Sequence, residues 1–564
     1  MTRTEAEPAR TGAPRPRPAR RWARLAGLGL AAAALFACFL RLSQTRAVNS
    51  DGAANTLQAW DMLHGNLLLH GWQLTDVSFY TTELPQYLLV TAVTGLTAEV
   101  VHIAAAMTMT LLVILAGLLS GRGRANRAGA ALAAGLLLTP QLGPGVNILL
   151  SSPDHLGTAV PVLAAWLILD RARPGPAAAA AVGLVLGWAQ VADPLAFWIG
   201  VLPLAGVCAL RGLRGCAGAR RYDLGLAAAA LAGSALAAAA GRAITAAGGF
   251  RVAPVHVAPV KPGHLLTNLA VTGRGLLLLF GADFPDARPG LATVLAVAHL
   301  AGVALAAWAL FLAARCFRRG GDRVAQVLLA GVLLDVVAYA ISDRPHALPA
   351  TREIDVVLPL CAALAGRLAG PRLARWLGRQ GSPARHPAAR FAAGFAAGLI
   401  LAGYLASLAT GLTRPAATAE YHRLGAWLAA RHLRDGLAGY WAASVVTADT
   451  GGRVRIRPVR TARGRLAAGR WAADAAWYDP RRATADYVVL APGRPGYPGF
   501  APRRQVLATF GRPARTYHAA GCVILVWHRN LLASLGRAQF QNSKGSSMRS
   551  PARNAGSSSG SRPG

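Results

Sequence analysis

Lysine is nearly missing from this 564-residue chain: only Lys261 and Lys544 are present, so arginine carries the positive charge. Acids are scarce too, 24 Asp and Glu against 59 Lys and Arg, which leaves a formal net charge of +35. Charged residues make up 15% of the chain and hydrophobic ones 54%, whereas soluble proteins carry about 25% charged residues. A soluble multidomain protein is thereby excluded. The six cysteines include no Cys-x-x-Cys pair, and only Cys522 lies clearly outside the apolar runs and arginine-rich loops. Neither a disulfide framework nor a zinc site is indicated. The charge does not mark a nucleic-acid partner either, because the arginines are neither gathered on one soluble face nor interleaved with aromatics.

What is present is apolar sequence in blocks, many of them close to the roughly 20 residues that cross a bilayer as a helix. Eleven spans are expected, at 23–42, 98–120, 128–144, 156–170, 176–191, 195–210, 224–246, 290–314, 324–341, 356–370 and 391–411. The first is a retained span rather than a signal peptide, since it lacks a convincing small-residue cleavage site and many spans follow. With the basic N-terminus held in the cytoplasm, alternation puts GRGRANR (121–127), RARPG (171–175), RGLRGCAGARR (211–221), CFRRGGDR (316–323) and the stretch 371–390 inside. All five are rich in arginine, as the positive-inside rule requires. The Ala, Arg and Gly bias is that of a GC-rich bacterial genome of the actinobacterial kind, so the expected membrane is a bacterial plasma membrane.

Residues 1–22 read as a disordered basic tail, 23–411 as the transmembrane domain, and 531–564 as a second, low-complexity tail. The first outward loop, 43–97, contains NTLQAWDMLHGNLLLHGW, an amphipathic pattern of surface helices. HLLTNLAVTGRGLLLLF, in the outward segment 247–289, is a further interfacial or re-entrant piece. In 412–530 the hydropathy falls. TAEYHRLGAWLAARHL reads there as a helix, and ASVVTAD, RVRIRPV, DYVVLAP and CVILVWH as short strands. The expected fold is an all-α polytopic membrane protein of about 11 transmembrane helices, with a small extracytoplasmic α/β domain at the C-terminal end.

Chemistry is sought in the outward loops, where the lipid imposes no need for ionisable groups. The first loop offers Asp51, Asp61, Asp76 and Glu83 among Trp60, Trp72, Tyr80 and Tyr87. SSPDHLGT offers Asp154 and His155, and VADPLAFW offers Asp193. Later loops bring Lys261, His264, Arg274, Asp283 and Asp286, then Asp343, Arg344, His346, Arg352, Glu353 and Asp355. Acids thus come early and cations late, all on one side. That suits a reaction in which a carboxylate takes a hydroxyl proton and Arg or Lys stabilises an anionic leaving group. Structural roles compete: Asp51 in Ser-Asp-Gly and Asp154 after a proline both suit turns and helix caps. Glu83 suits a solvated position, Asp61 and Asp76 the polar faces of surface helices, and His155 a satisfied interface.

A first span that leads into an outward acid in SDGA, and a long first loop with surface helices, resemble the GT-C superfamily of polytopic glycosyltransferases. That superfamily includes the protein O-mannosyltransferases and the aminoarabinose transferases. Asp154 in SSPDHLGT is similar to its second acidic motif, and Arg352 in TREIDVVLPL to its Arg-Tyr-Leu-Leu-Pro-type element. Two differences stand out: Asp51 is followed by Gly where many members have paired acids, and Glu353-Ile354 replace the usual aromatic and aliphatic residues.

The resemblance implies transfer of a sugar, with inversion, from a polyprenyl-phosphate donor to an envelope acceptor on the outer face. It implies Asp51 as general base, with Asp154 and Glu83 orienting the acceptor or binding Mg²⁺ or Mn²⁺. Lys261, Arg274, Arg344 and Arg352 form the pool of phosphate ligands, and His155 and Tyr80 are further substrate-binding candidates. Membrane lipid is the surrounding partner. Two alternatives stand beside this reading: a transporter or flippase, for which Asp335 and Arg242 within or near spans speak, and a catalytically silent GT-C-like scaffold.

Overall fold

A segment surrounded by lipid must satisfy its backbone groups internally, and a helix does so. The computed structural model describes residues 18–121, 125–138, 145–151, 154–214, 217–285, 287, 289–318, 321–379, 387–493 and 499–535. Residues 1–17 and 536–564 of the two expected tails, and Asp286, lie outside the described residues. Each of the eleven apolar runs is helical where it is described. Eight helices there are long and apolar enough to cross a membrane. Ala125–Leu137 and Ala159–Arg171, at 13 residues, and Pro176–Ala192, at 17, fall short of that length. The chain is a multi-pass membrane protein, and eight of its described helices have the length and apolar composition of full spans.

Both tail boundaries shift. Helix α1 runs Pro18–Gln44, so it starts inside the expected tail, at a proline whose fixed φ suits the first helical turn. At the other end Leu531 and Leu532 are buried against the C-terminal domain rather than belonging to a tail.

Described residues in and beside the arginine-rich connections meet at one end of the bundle. There Arg367 binds Asp170 at 2.6 Å, Asp322, and the Leu119 carbonyl at 2.9 Å. Arg211 reaches the Gly321 carbonyl, and Arg323 binds Asp223 at 2.6 Å.

The opposite end carries the first loop and the C-terminal domain. The loop forms helices α2 (Ser50–Leu63) and α3 (Leu84–Thr94), as its amphipathic pattern predicts, and also strand β1 (Trp72–Leu74). β1 pairs with β2 (Arg251–Val252) in parallel. The C-terminal domain contains β3 (Asp435–Ala438), β4 (Arg455–Ala462), β5 (Arg465–Ala468), β6 (Ala473–Asp474), β7 (Tyr487–Leu490), β8 (Arg515–Ala519) and β9 (Cys522–Val526). Six of them make a mixed sheet in the order β5-β4-β3-β7-β9-β8, whereas β6 leaves it to pair antiparallel with β1.

ASVVTAD is not a strand. It belongs to the helix Tyr440–Asp449, in which residues 442–448 are all buried. A short run buried on every side carries no period that separates helix from strand, and its β-branched Val445, Val446 and Thr447 bias the reading toward strand. This helix packs on α2 in a core shared by Ala53, Leu57, Leu74 and Tyr87 of the first loop with Leu424, Val445 and Ile456. The segment 412–530 is therefore fastened to the first loop by a strand pair and a common core, and the groove between them becomes the site.

Candidate active site

Asn49, not Asp51, caps α2: its side chain accepts the Gly52 N–H at 3.1 Å. Asp51, in the first turn, is left to face the C-terminal domain. Tyr440, the first residue of its helix, donates its hydroxyl to Asp51 Oδ1 at 2.6 Å. An Arg352 guanidinium nitrogen lies 3.8 Å from Asp51 Oδ2. Burial raises the Asp51 pKa from the ordinary carboxylate value, and Arg352 and Tyr440 offset part of that rise.

Asp154 precedes the 3-10 turn His155–Thr158 without capping it. Its Oδ2 lies 3.4 Å from Arg352 Nε, so one guanidinium stands between two carboxylates. Burial pushes Asp154 up to about 6, against the pull of Arg352 and His155. Arg352 itself is held further above its usual value, chiefly by Asp154 and then, against burial, by Asp51.

Behind this trio runs a second chain of charges. The Glu353 carboxylate lies 3.4 Å from His155 Nε2 and 3.5 Å from Arg344. His155 Nδ1 lies 2.8 Å from Asp193, which also accepts the Thr158 hydroxyl at 2.6 Å and the Leu195 N–H at 2.9 Å. Burial opposes charge on this histidine, but Asp193 and Glu353 outweigh it and raise its pKa well above the ordinary value. Burial likewise opposes charge on Glu353, yet the His155 hydrogen bond and the nearby cations hold it at about 2. The outcome is a cationic imidazole fixed between two carboxylates, which braces the segment from which Arg352 projects.

Asp51, Asn55, Asp76, Asp154 and Arg352 form one wall of a cavity of about 470 Å³, a volume suited to a small ligand. The C-terminal domain forms the other, with Tyr440, Trp441, Arg460, Arg470, Trp471 and Phe500. Phe79, Tyr421 and Ala472, which also line it, have φ of 54°, 59° and 46°. Left-handed backbone is costly in residues with a Cβ and concentrates at functional sites. The cavity therefore combines acids, aromatic surface and cations.

The other expected residues fall into three groups. Arg344 and His155 do not line the cavity: both pair with Glu353, and His155 adjoins Asp154. Glu83 is buried rather than solvated, packs where a Cβ on Gly157 would stand, and is raised to about 8 by burial. Tyr80, Lys261 and Arg274 do not line the cavity. Tyr80 donates to the Leu67 carbonyl at 3.0 Å and packs on Phe250, and Lys261 is exposed. A position in an outward loop does not fix the position around the bundle; charge alone selected Lys261 and Arg274, and aromatic character selected Tyr80. Tyr440 carries no sequence signal. Asp76 had one, an acid among aromatics, which the surface-helix reading absorbed.

Among the described residues no three or more His, Cys, Asp or Glu side chains are grouped to hold a metal ion. Glu83 and Asp154 share only a void of about 20 Å³, and Arg352 already neutralises Asp154.

No family model and no curated protein matches the sequence. Among solved structures, ArnT from Cupriavidus metallidurans bound to undecaprenyl phosphate is similar over 90% of this chain and 98% of its own, at 14% identity and a TM-score of 0.50. Apo ArnT from the same organism covers 92% and 99%, at 15% identity and a TM-score of 0.48. AglB, the oligosaccharyltransferase of Archaeoglobus fulgidus in complex with an inhibitory peptide and a dolichol-phosphate, covers 81% and 69%, at 11% and 0.42. At 14% identity the likeness to lipid-bound ArnT shows a shared fold, in line with the polytopic helical fold the sequence resemblance implies.

Proposed function

We propose, starting from a GT-C fold, that this chain is a membrane glycosyltransferase that moves a sugar from a polyprenyl-phosphate donor to an envelope acceptor, with inversion. The observation that carries the proposal is the convergence of Asp51, Asp154 and Arg352 on one cavity between the first loop and the C-terminal domain. ArnT, whose structure holds undecaprenyl phosphate, supports the class of donor. The arginine-rich end of the bundle faces the cytoplasm by the positive-inside rule, so the N-terminus lies inside and the cavity and C-terminal domain outside.

Asp51 is the general base. The donor phosphate engages Arg352 and competes with both carboxylates for its guanidinium. Asp51, the more distant partner at 3.8 Å, is released more readily than Asp154. Its freed Oδ2 takes the acceptor hydroxyl proton as that oxygen bonds to the anomeric carbon. The bond from that carbon to the phosphate oxygen breaks, and the electron pair leaves on the phosphate, where Arg352 stabilises it. Asp154 holds Arg352 in place. No step of the proposal is routed through a divalent cation. The acids meet at a cavity at one end of the bundle rather than along a path through it, which favours a transferase over a transporter or flippase.

The test is turnover by the purified chain in lipid nanodiscs with a polyprenyl-phosphate sugar, beside Asp51→Asn. The wild type is expected to release polyprenyl phosphate and form an inverted glycoside, and the variant to lose at least a hundredfold in rate. Wild-type turnover in Asp51→Asn removes the base assignment.

A further inference from the structure

A second cavity, of about 350 Å³, opens on the far side of α2, lined by Trp60, Asp61 and Trp72 from the first loop and Arg455, Arg457 and Trp477 from the C-terminal domain. We infer that this tryptophan pocket binds a neutral glycan, and that the acceptor is an oligosaccharide lying across both cavities. The extension to the acceptor rests on the glycosyltransferase reading; the pocket's affinity for glycan does not.

Three features of the pocket carry the inference. Trp72 and Trp477 meet edge to face with centroids 5.0 Å apart, and Trp60, 37% exposed, completes an indole-walled hollow. Rigid aromatic surface of this kind suits the C–H face of a sugar ring. Asp61 spends one oxygen on its own scaffold, accepting from Trp72 Nε1 and Asn66 Nδ2, each at 2.7 Å. No hydrogen bond to its Oδ1 is formed among the described residues, and Asp61 lines the pocket, which offers that oxygen to sugar hydroxyls. The two arginines are already neutralised in part: Asp435 binds Arg455 at 2.9 Å and Arg457 at 3.2 Å. Asp435 behind the two arginines and Asp61 on the pocket wall offset their charge, which disfavours an anionic lipid headgroup and suits an uncharged ligand.

The two cavities share their walls. Asp51 and Asn55 of α2 face the first and Leu57, Trp60 and Asp61 the second. β4 gives Pro458 to Thr461 to the first and Arg455 to Arg457 to the second. At 1.5 Å per helical residue, Asp51 and Asp61 are about 15 Å apart along α2, the reach of a few linked sugars rather than of one.

The experiment uses the full chain in nanodiscs without donor, titrated with linear hexasaccharides of glucose, mannose, galactose and arabinose and followed by saturation-transfer NMR. At least one is expected to bind, with Trp60→Ala weakening it tenfold or more and Trp60→Phe restoring most of the affinity. Binding is measured without donor, so it is read apart from turnover. No binding by any of the four, or equal binding by wild type and Trp60→Ala, overturns the inference. So does a Trp60→Ala variant that loses bound phospholipid and keeps its hexasaccharide. If hexasaccharide binds but no donor is turned over, the transferase reading falls and the pocket stands. If turnover occurs, Trp60→Ala raises KM for the hexasaccharide while leaving kcat and the disaccharide KM unchanged.

Discussion

Replacing Arg352 by Gln removes the one cation held between Asp51 and Asp154. Two opposite charges about 4 Å apart are worth about 4 kcal/mol at an effective dielectric near 20 and about 1 kcal/mol in water. The Arg352 side chain is 46% exposed, so each pair belongs toward the aqueous end, at about 1–2 kcal/mol. That corresponds to about one pKa unit for each acid. The direction follows from the charge: without the guanidinium the ionised carboxylates are less favoured, and both acids titrate at higher pH. Asp154, at about 6 with Arg352 in place, moves toward neutrality. In a nanodisc assay from pH 5 to 9, the acid limb of kcat/KM is expected to shift upward by about one unit. The plateau is expected to fall by about 10²–10³-fold through loss of leaving-group stabilisation. Arg352→Lys should keep the limb near its wild-type position and restore only part of the plateau, since an ammonium is a point charge without the guanidinium fork. An unchanged limb in Arg352→Gln, or one displaced to lower pH, refutes the reasoning.

Tyr440→Phe deletes the hydroxyl that donates to Asp51, and should raise the acid limb and lower kcat about tenfold, as expected for losing a hydrogen bond to a charged group; an unaltered pH–rate profile would contradict it. Glu83→Gln bears on stability. The folded-state pKa of Glu83 is raised to about 8, so the native state binds the extra proton above the ordinary carboxylate pKa. Stability is therefore full at low pH, declines as pH rises toward 8 and levels off beyond it. Thermal unfolding in detergent from pH 5 to 9 should show a shallower decline in the Gln variant, and parallel curves would argue against a buried, protonated Glu83. Gly157→Ala forces a methyl group into the space of the Glu83 carboxylate and should lower stability by about 1–3 kcal/mol, read as a fall in Tm.

The helical bundle was legible because long apolar runs leave the backbone one solution, and arginine placement sorts the connections to one end. Asp51, Asp154 and Arg352 were legible for a related reason: sidedness confines the candidates to a few loops, and the resemblance selects among them. What escaped was whatever depends on contact between distant segments. Tyr440 lies 389 residues from the carboxylate it serves, in a run whose burial on every side erased its helical period. Asp76 read as part of a surface helix, yet its stretch lies between β1 and α3 and turns into the cavity. Lys261 and Arg274 carry the right charge on an outward segment, but nothing in a linear pattern fixes the azimuth of a loop around a bundle.

The lone acid at position 51 is the chief difference from the paired acids of many GT-C sequences, and the cavity bears on what that difference means. A second adjacent carboxylate would raise the pKa of its neighbour by repulsion and would need its own counter-charge. Here the neighbouring residue is Gly52, which packs against Val101 where a side chain would collide. The further carboxylates come from Asp154 and Asp76, separate in sequence and facing the same cavity. Asp154 is neutralised by the same guanidinium that touches Asp51, so the acids are coupled through Arg352 rather than through the backbone. A donor phosphate that draws Arg352 away thereby alters both acids in one event. The same reasoning explains why the His155–Glu353 brace belongs to the proposal although neither residue lines the cavity: it anchors the turn that holds Arg352 between them. His155→Gln should therefore act through Arg352, displacing the pH profile in the same direction as Arg352→Gln but by less. A profile identical to the wild type would show that Arg352 keeps its position without the brace.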